Sequence, residues 1–181
     1  MWRHLFSLAL LSVAVACSGT DSGEGNLAAG GSLPSIKPFE PDFPPIEYRQ
    51  LDLAVHSPDG QRATTFRVYD PVNRASRIHG LMGVTDLPPD AGMLFRFAAP
   101  QESGFWMKNT RLPLSIAFTD GQGVIGTILD MEPCNSDPCP GYRPDAPFEY
   151  ALEVNRDAFR STGVEKGWQL DIPSDLPPPP T

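Results

Sequence analysis

Between about residues 46 and 173, apolar positions recur at a spacing closer to two than to 3.6, the period of strands with one buried face. Leu51, Leu53 and Val55 alternate with polar neighbours, and residues 64–69 follow a similar pattern. Residues 114–119 and 124–131 flank Asp120-Gly121-Gln122-Gly123. Asp-Gly between two β-prone apolar runs predicts a hairpin. Residues 148–154 and 168–172 complete a set of short strands. Helix is scarce. One short helix is predicted with Asn155 as N-cap, running over 156–161 and stopping at Gly163; a second turn covers 74–82. Many short strands with Pro and Gly punctuation predict a mainly β domain. The expected form is an antiparallel β-sandwich or jelly-roll-like barrel with one or two short helices.

The ends of the chain follow a different pattern. Arg3 precedes an apolar run over residues 5–16. As a helix that run spans about 18 Å, against a bilayer core of roughly 30 Å, so it is too short to cross. A charged start, a short apolar stretch and small residues together read as a secretion signal over 1–16. Ala14-Val15-Ala16-Cys17 resembles the lipobox of bacterial lipoproteins, in which the cysteine thiol is acylated, although Ala14 stands where leucine is usual. The alternative is an ordinary signal peptide that leaves Cys17 free. The chain has three cysteines, an odd number, and an exported protein should not keep a spare thiol. With Cys17 lipidated, Cys134 and Cys139 remain to form a disulfide in an oxidising compartment. A zinc site is the rival reading. It needs more ligands than two thiolates, and His56 and His79 lack metal-motif spacing, so no metal or cofactor is expected.

Residues 17–46 read as a lipid-anchored linker, first flexible and then stiffened by Pro34, Pro38, Pro41, Pro44 and Pro45. A single β domain is expected over 47–173, followed by a Pro-rich disordered tail over 174–181. The formal net charge is −8, and removing Arg3 with the signal makes it −9. An acidic chain gains nothing from the counterion release that drives nucleic-acid binding, so no nucleic-acid partner is expected. It also lacks a basic patch for anionic lipids, so membrane attachment would rest on the acyl chains at Cys17. The expected location is the bacterial cell envelope, on its periplasmic side or at the cell surface.

The most distinctive residues are Gly80-Leu81-Met82, Gly92-Met93-Leu94-Phe95 and Phe105-Trp106-Met107-Lys108-Asn109-Thr110. After them come Pro113-Leu114, Asp120-Gly121, Pro133-Cys134 and Tyr150-Ala151-Leu152-Glu153-Val154. Their order and spacing resemble the family catalogued as domain of unknown function 192, from about Tyr48 to Ile172. The resemblance implies a compact all-β, jelly-roll-like domain with a short helix near its C-terminus, often exported in bacteria. It implies no established activity. The chain departs from the family pattern at Val84, where arginine is common, and at Ser115, where aspartate often follows Pro-Leu. Loss of a shared polar site would explain both departures; loss of a structural ion pair is the reading favoured here.

Read as a strand, residues 105–109 put Phe105, Met107 and Asn109 on one face and Trp106 and Lys108 on the other. Trp106 as a stacking platform with Lys108 and Asn109 as donors, joined by Arg77 and His79, would suit a sugar ring or a peptide end. The competing reading packs Trp106 in a core, with the Lys108 stem laid across it and Asn109-Thr110 forming a turn. Asp130 and Glu132, two apart, would share a strand face and form a candidate hydrolytic pair, although solvated acids are the commoner outcome. No Gly-x-Ser-x-Gly elbow is present, and Gly121-x-Gly123 lacks the helix and lysine of a phosphate loop. The expected function is a non-enzymatic binding or accessory module for a glycan, peptide or envelope protein. The alternatives are a hydrolase of an envelope glycan or peptide, and a structural lipoprotein without a ligand site.

Overall fold

The computed structural model describes residues 31–37 and 46–181. The expected signal segment, Cys17 and much of the linker lie outside the described residues. Ser32 to Thr181 form one compact unit. In chain order its elements are β1 (Tyr48–His56), β2 (Ala63–Pro71), α1 (Arg74–His79), β3 (Ala91–Gln101), β4 (Phe105–Trp106), β5 (Leu114–Thr119), β6 (Ile125–Met131), β7 (Gly141–Tyr142), β8 (Phe148–Asn155), α2 (Ala158–Thr162) and β9 (Gln169–Leu170). The domain is mainly β, as its periodicity implies, with a curled seven-stranded sheet and two short helices. Sheet order is β6-β5-β8-β3-β2-β1-β9, and β4 pairs with β7 separately. All pairings are antiparallel except β2 with β3.

The sheet curls until its two ends touch. Val124, just before β6, bridges Gln169 of β9, and the Ile125 amide donates to the Trp168 carbonyl at 2.8 Å. All seven strands send apolar side chains into one buried cluster, among them Leu53, Phe66, Leu94, Ala117, Ile125, Leu152 and Leu170. Phe159 of α2 and Trp168 fill the same cluster. Alternation along the strands sends Tyr69, Met93, Phe95, Ile116, Phe118 and Ala151 to the opposite face. There they are covered by Leu81, Leu87, Met107 and Phe148.

Local chemistry explains most element ends. Between β5 and β6, the Asp120 carboxylate accepts from the amides of Gln122 and Val124, both at 2.9 Å, and Gly123 takes a positive φ of 81°. Asn73 caps α1, its Oδ1 accepting from the Ser76 amide at 2.8 Å. Helix α2 ends at Gly163 as expected, but it begins later than the sequence suggests. Asn155 closes β8 instead, because its side-chain amide is engaged by the carbonyls of Leu87 and Pro88, each at 2.9 Å. The cap position falls to Asp157.

Both proline-rich flanks lie against the domain where they are described. Leu33 is buried in the core, and its backbone exchanges hydrogen bonds of 2.8 and 3.1 Å with the Gln50 side chain. Residues around Leu33 therefore belong to the domain, not to a free linker. In the tail, the Pro177 carbonyl accepts from Arg96 at 2.8 Å, and the Pro180 carbonyl accepts from Arg77. The prolines rule out strand pairing there but leave the carbonyls to engage the domain. No helix among the described residues is long and apolar enough to cross a membrane.

Candidate functional site

The candidate site lies beside the face carrying Met93, Phe95 and Ile116. Helix α1 forms one wall, held by the Tyr48 hydroxyl, which donates to the carbonyls of Ser76 and Gly80 at 3.3 and 3.2 Å. Arg74, Arg77 and Ile78 share one helix face by their i, i+3, i+4 spacing. The opposite wall is the segment carrying β4. Phe105 points inward onto a chain of edge-to-face rings, 4.9 Å from Phe95 and 5.6 Å from Phe118, whose centroid is 4.8 Å from Phe148. Trp106, the next residue, must then face outward.

These walls enclose a cavity of about 240 Å³. Arg77, His79 and Trp106 of the sequence candidates line it, together with Phe95, Phe97 and Glu153. Trp106 is 55% exposed and Ile78 49%, and both border this one opening. A core role for Trp106 is thereby excluded. Arg77 lies over the Phe97 ring, 5.1 Å from its centroid. Burial lowers its pKa, with the neighbouring Arg74 adding to the effect. His79 is buried, and its pKa is also lowered by desolvation, against opposing hydrogen bonds to the backbone of Lys37 and Met82.

Lys108 and Asn109 are placed elsewhere and do not line the cavity. Lys108 Nζ pairs with the Asp137 carboxylate at 2.6 Å. Asn109 adopts a left-handed backbone with φ 57°. Its amide donates to the Cys134 carbonyl at 2.9 Å, and its carbonyl accepts from the Gly83 amide at 3.0 Å. Both residues thus join the Trp106 segment to the loop closed by the Cys134–Cys139 disulfide, whose sulfurs are 2.10 Å apart.

Sequence reasoning missed Glu153 as a site residue. It stands in the middle of β8, facing Met93 on β3 and Ile116 on β5 in register, and is 5% exposed. Its carboxyl has no hydrogen-bond or ion-pair partner among the described residues. Desolvation pushes its pKa up to about 8, so it is largely protonated at neutral pH. The available signal was an acid set between Leu152 and Val154 in a strand otherwise suited to a core.

Asp130 and Glu132 do not converge. Asp130 accepts from Ser115 Oγ at 2.6 Å and pairs with Arg160 at 3.6 Å, whereas Glu132 pairs with Arg156. The surface groove touched by Asp130 is not lined by Glu132. Among the described residues, no three His, Cys, Asp or Glu side chains gather to hold a metal ion. Val84 packs against the cluster containing Met93, whereas Ser115 alternates with Leu114 and Ile116 of that cluster and faces the other way. The two departures therefore fall on opposite faces of the sheet, so a direct ion pair between those positions is ruled out.

The model of the family described as Uncharacterized ACR, domain of unknown function 192, matches residues 54–172. No curated protein matches the chain. It is similar to a crystal structure of a provisionally assigned transcription regulator from Sinorhizobium meliloti 1021, with 31% identity and a TM-score of 0.62 over 71% of this chain and 97% of that one. It is also similar to a protein of unknown function from Novosphingobium aromaticivorans, with 25% identity and a TM-score of 0.61 over 68% of this chain and 85% of the other.

Proposed function

This chain belongs to the domain of unknown function 192 family, and we propose that it is an exported, lipid-anchored module that binds a small ligand in the bacterial envelope. The cavity carries this reading. Trp106 and Ile78 expose apolar area at the same opening that Arg77 and His79 line with polar groups. Apolar area with a few convergent polar groups is what a glycan ring or peptide end requires. The anchor rests on the small residues before Cys17 and on a disulfide that suits an oxidising compartment.

A hydrolase has less support, because Asp130 and Glu132 are held by separate cations. A structural lipoprotein would leave the exposed Trp106 at a cavity mouth without a purpose. The regulator assigned to the Sinorhizobium relative gives little reason to expect DNA binding here, since the chain carries a net charge of −8.

A thermal-shift screen of the full chain against cell-wall glycans, peptides and divalent metals tests the binding reading. A ligand of the native state raises the Tm, and Trp106→Ala should abolish that rise. A rise that survives in Trp106→Ala, or no rise with any compound, contradicts it. Intact mass of Cys17-containing protein from bacterial membranes tests the anchor: acyl chains are expected, and an unmodified thiol would contradict them.

A further inference from the structure

We propose that this cavity takes a small organic carboxylate, its anionic end on Arg74 and Arg77 and a second oxygen on the Glu153 carboxyl. The proposal rests on the binding reading above and specifies its ligand. Arg74 is exposed and has no partner among the described residues. Arg77 stands three residues on, on the same helix face. Its guanidinium already carries one peptide oxygen, the Pro180 carbonyl, so an oxygen acceptor is sterically accommodated at that cation. Glu153 is nine-tenths buried, opens into the same cavity, and has no partner for its carboxyl among the described residues.

Charge decides the sign of the ligand. Among the described residues, the charged and titratable groups that line the cavity with Glu153 are Arg74, Arg77 and His79, all from α1. Strands β3 and β5 flank it with Met93 and Ile116, and the segment leading through β4 contributes the uncharged Ser103 and Thr110. Burial raises Glu153 to about 8 and lowers His79, so near pH 7 the described residues of the cavity supply two cations and no anion. A cationic ligand would meet both arginines. A carboxylate would meet both favourably and accept a hydrogen bond from the protonated Glu153. The rings of Phe95, Phe97 and Trp106 offer apolar contact that inorganic phosphate cannot use.

Calorimetric titration of the full chain with phenylacetate, phenylacetamide and inorganic phosphate tests this. At pH 7 phenylacetate should bind at least about tenfold more tightly than the uncharged amide, and phosphate should not compete. Above about pH 8 ionised Glu153 repels the anion, so affinity should fall, at the limit roughly tenfold per pH unit. Glu153→Gln should retain binding at pH 7 and flatten that profile. Arg74→Ala, at an exposed position, should weaken phenylacetate and leave the amide unchanged. Equal affinity for acid and amide, a flat wild-type profile, or an Arg74→Ala variant that binds phenylacetate normally would overturn the proposal. If a neutral glycan or peptide binds through Trp106 while phenylacetate does not, the carboxylate proposal falls and the binding reading stands. If nothing binds, both fall.

Discussion

Glu153 and Met93 stand directly opposite each other across the β8–β3 pairing, an acid facing a thioether on an apolar face. The stability of the domain should therefore depend on pH through Glu153. Its folded pKa lies near 8, above the ordinary value of 4.5, so the folded state holds a proton that the unfolded state gives up. The sign is fixed: the contribution is fully present below pH 4.5 and is lost as pH rises to about 8. The loss is on the order of 5 kcal/mol. Urea denaturation at several pH values should show this decline in the wild type and its absence in Glu153→Gln.

The buried ion pair of Asp70 and Arg96 should be sensitive to removal of one partner. Asp70 is fully buried, and Arg96 donates to its two oxygens at 2.8 and 3.0 Å, with Arg49 engaging it as well. Arg96→Ala leaves the carboxylate undercompensated and releases the Pro177 carbonyl. A loss of about 3–5 kcal/mol is expected. Asp70→Leu combined with Arg96→Met should cost less than Arg96→Ala alone, as denaturant midpoints would show.

Trp106→Ala should separate binding from stability. The side chain is 55% exposed, so its truncation should change unfolding free energy by less than about 0.5 kcal/mol. Ligand-induced stabilisation should disappear all the same. A large fall in Tm without ligand would mean that Trp106 serves packing.

Gly92→Ala should be severe. A Cβ there would lie 2.4 Å from the Glu153 carbonyl oxygen, which is backbone and cannot swing away. Separating β3 from β8 at the centre of the sheet should cost on the order of 3 kcal/mol, read from chemical denaturation.

The strands legible in the sequence are mostly those with visible alternation or a turn signal. Strand β5 begins and ends where its apolar run does, and the hairpin to β6 turns on the side chain of Asp120. Strand β3 shows no alternation over Gly92-Met93-Leu94-Phe95, because Met93 and Leu94 are buried on opposite faces. Its motif could be recognised, but not its place at the centre of the sheet. Of the site, Trp106, Arg77 and His79 could be named because each is a conspicuous residue type. Lys108 and Asn109 were equally conspicuous, but they are drawn to Asp137 and to the backbone of Gly83 and Cys134. Glu153 was hidden by its neighbours. Only the pairing of β8 with β3 and β5 shows that an acid faces Met93 and Ile116 beside a cavity.

The most direct measurement is the carboxyl carbon resonance of Glu153, followed by NMR from pH 4 to pH 10 in the full chain and assigned with Glu153→Gln. A buried acid that shares its cavity with two arginines should titrate near pH 8, and saturating phenylacetate should move that midpoint upward, since the anion favours the protonated form. Titration in the ordinary carboxylate range, or a midpoint that phenylacetate leaves unmoved, would contradict a protonated Glu153 as part of the ligand site.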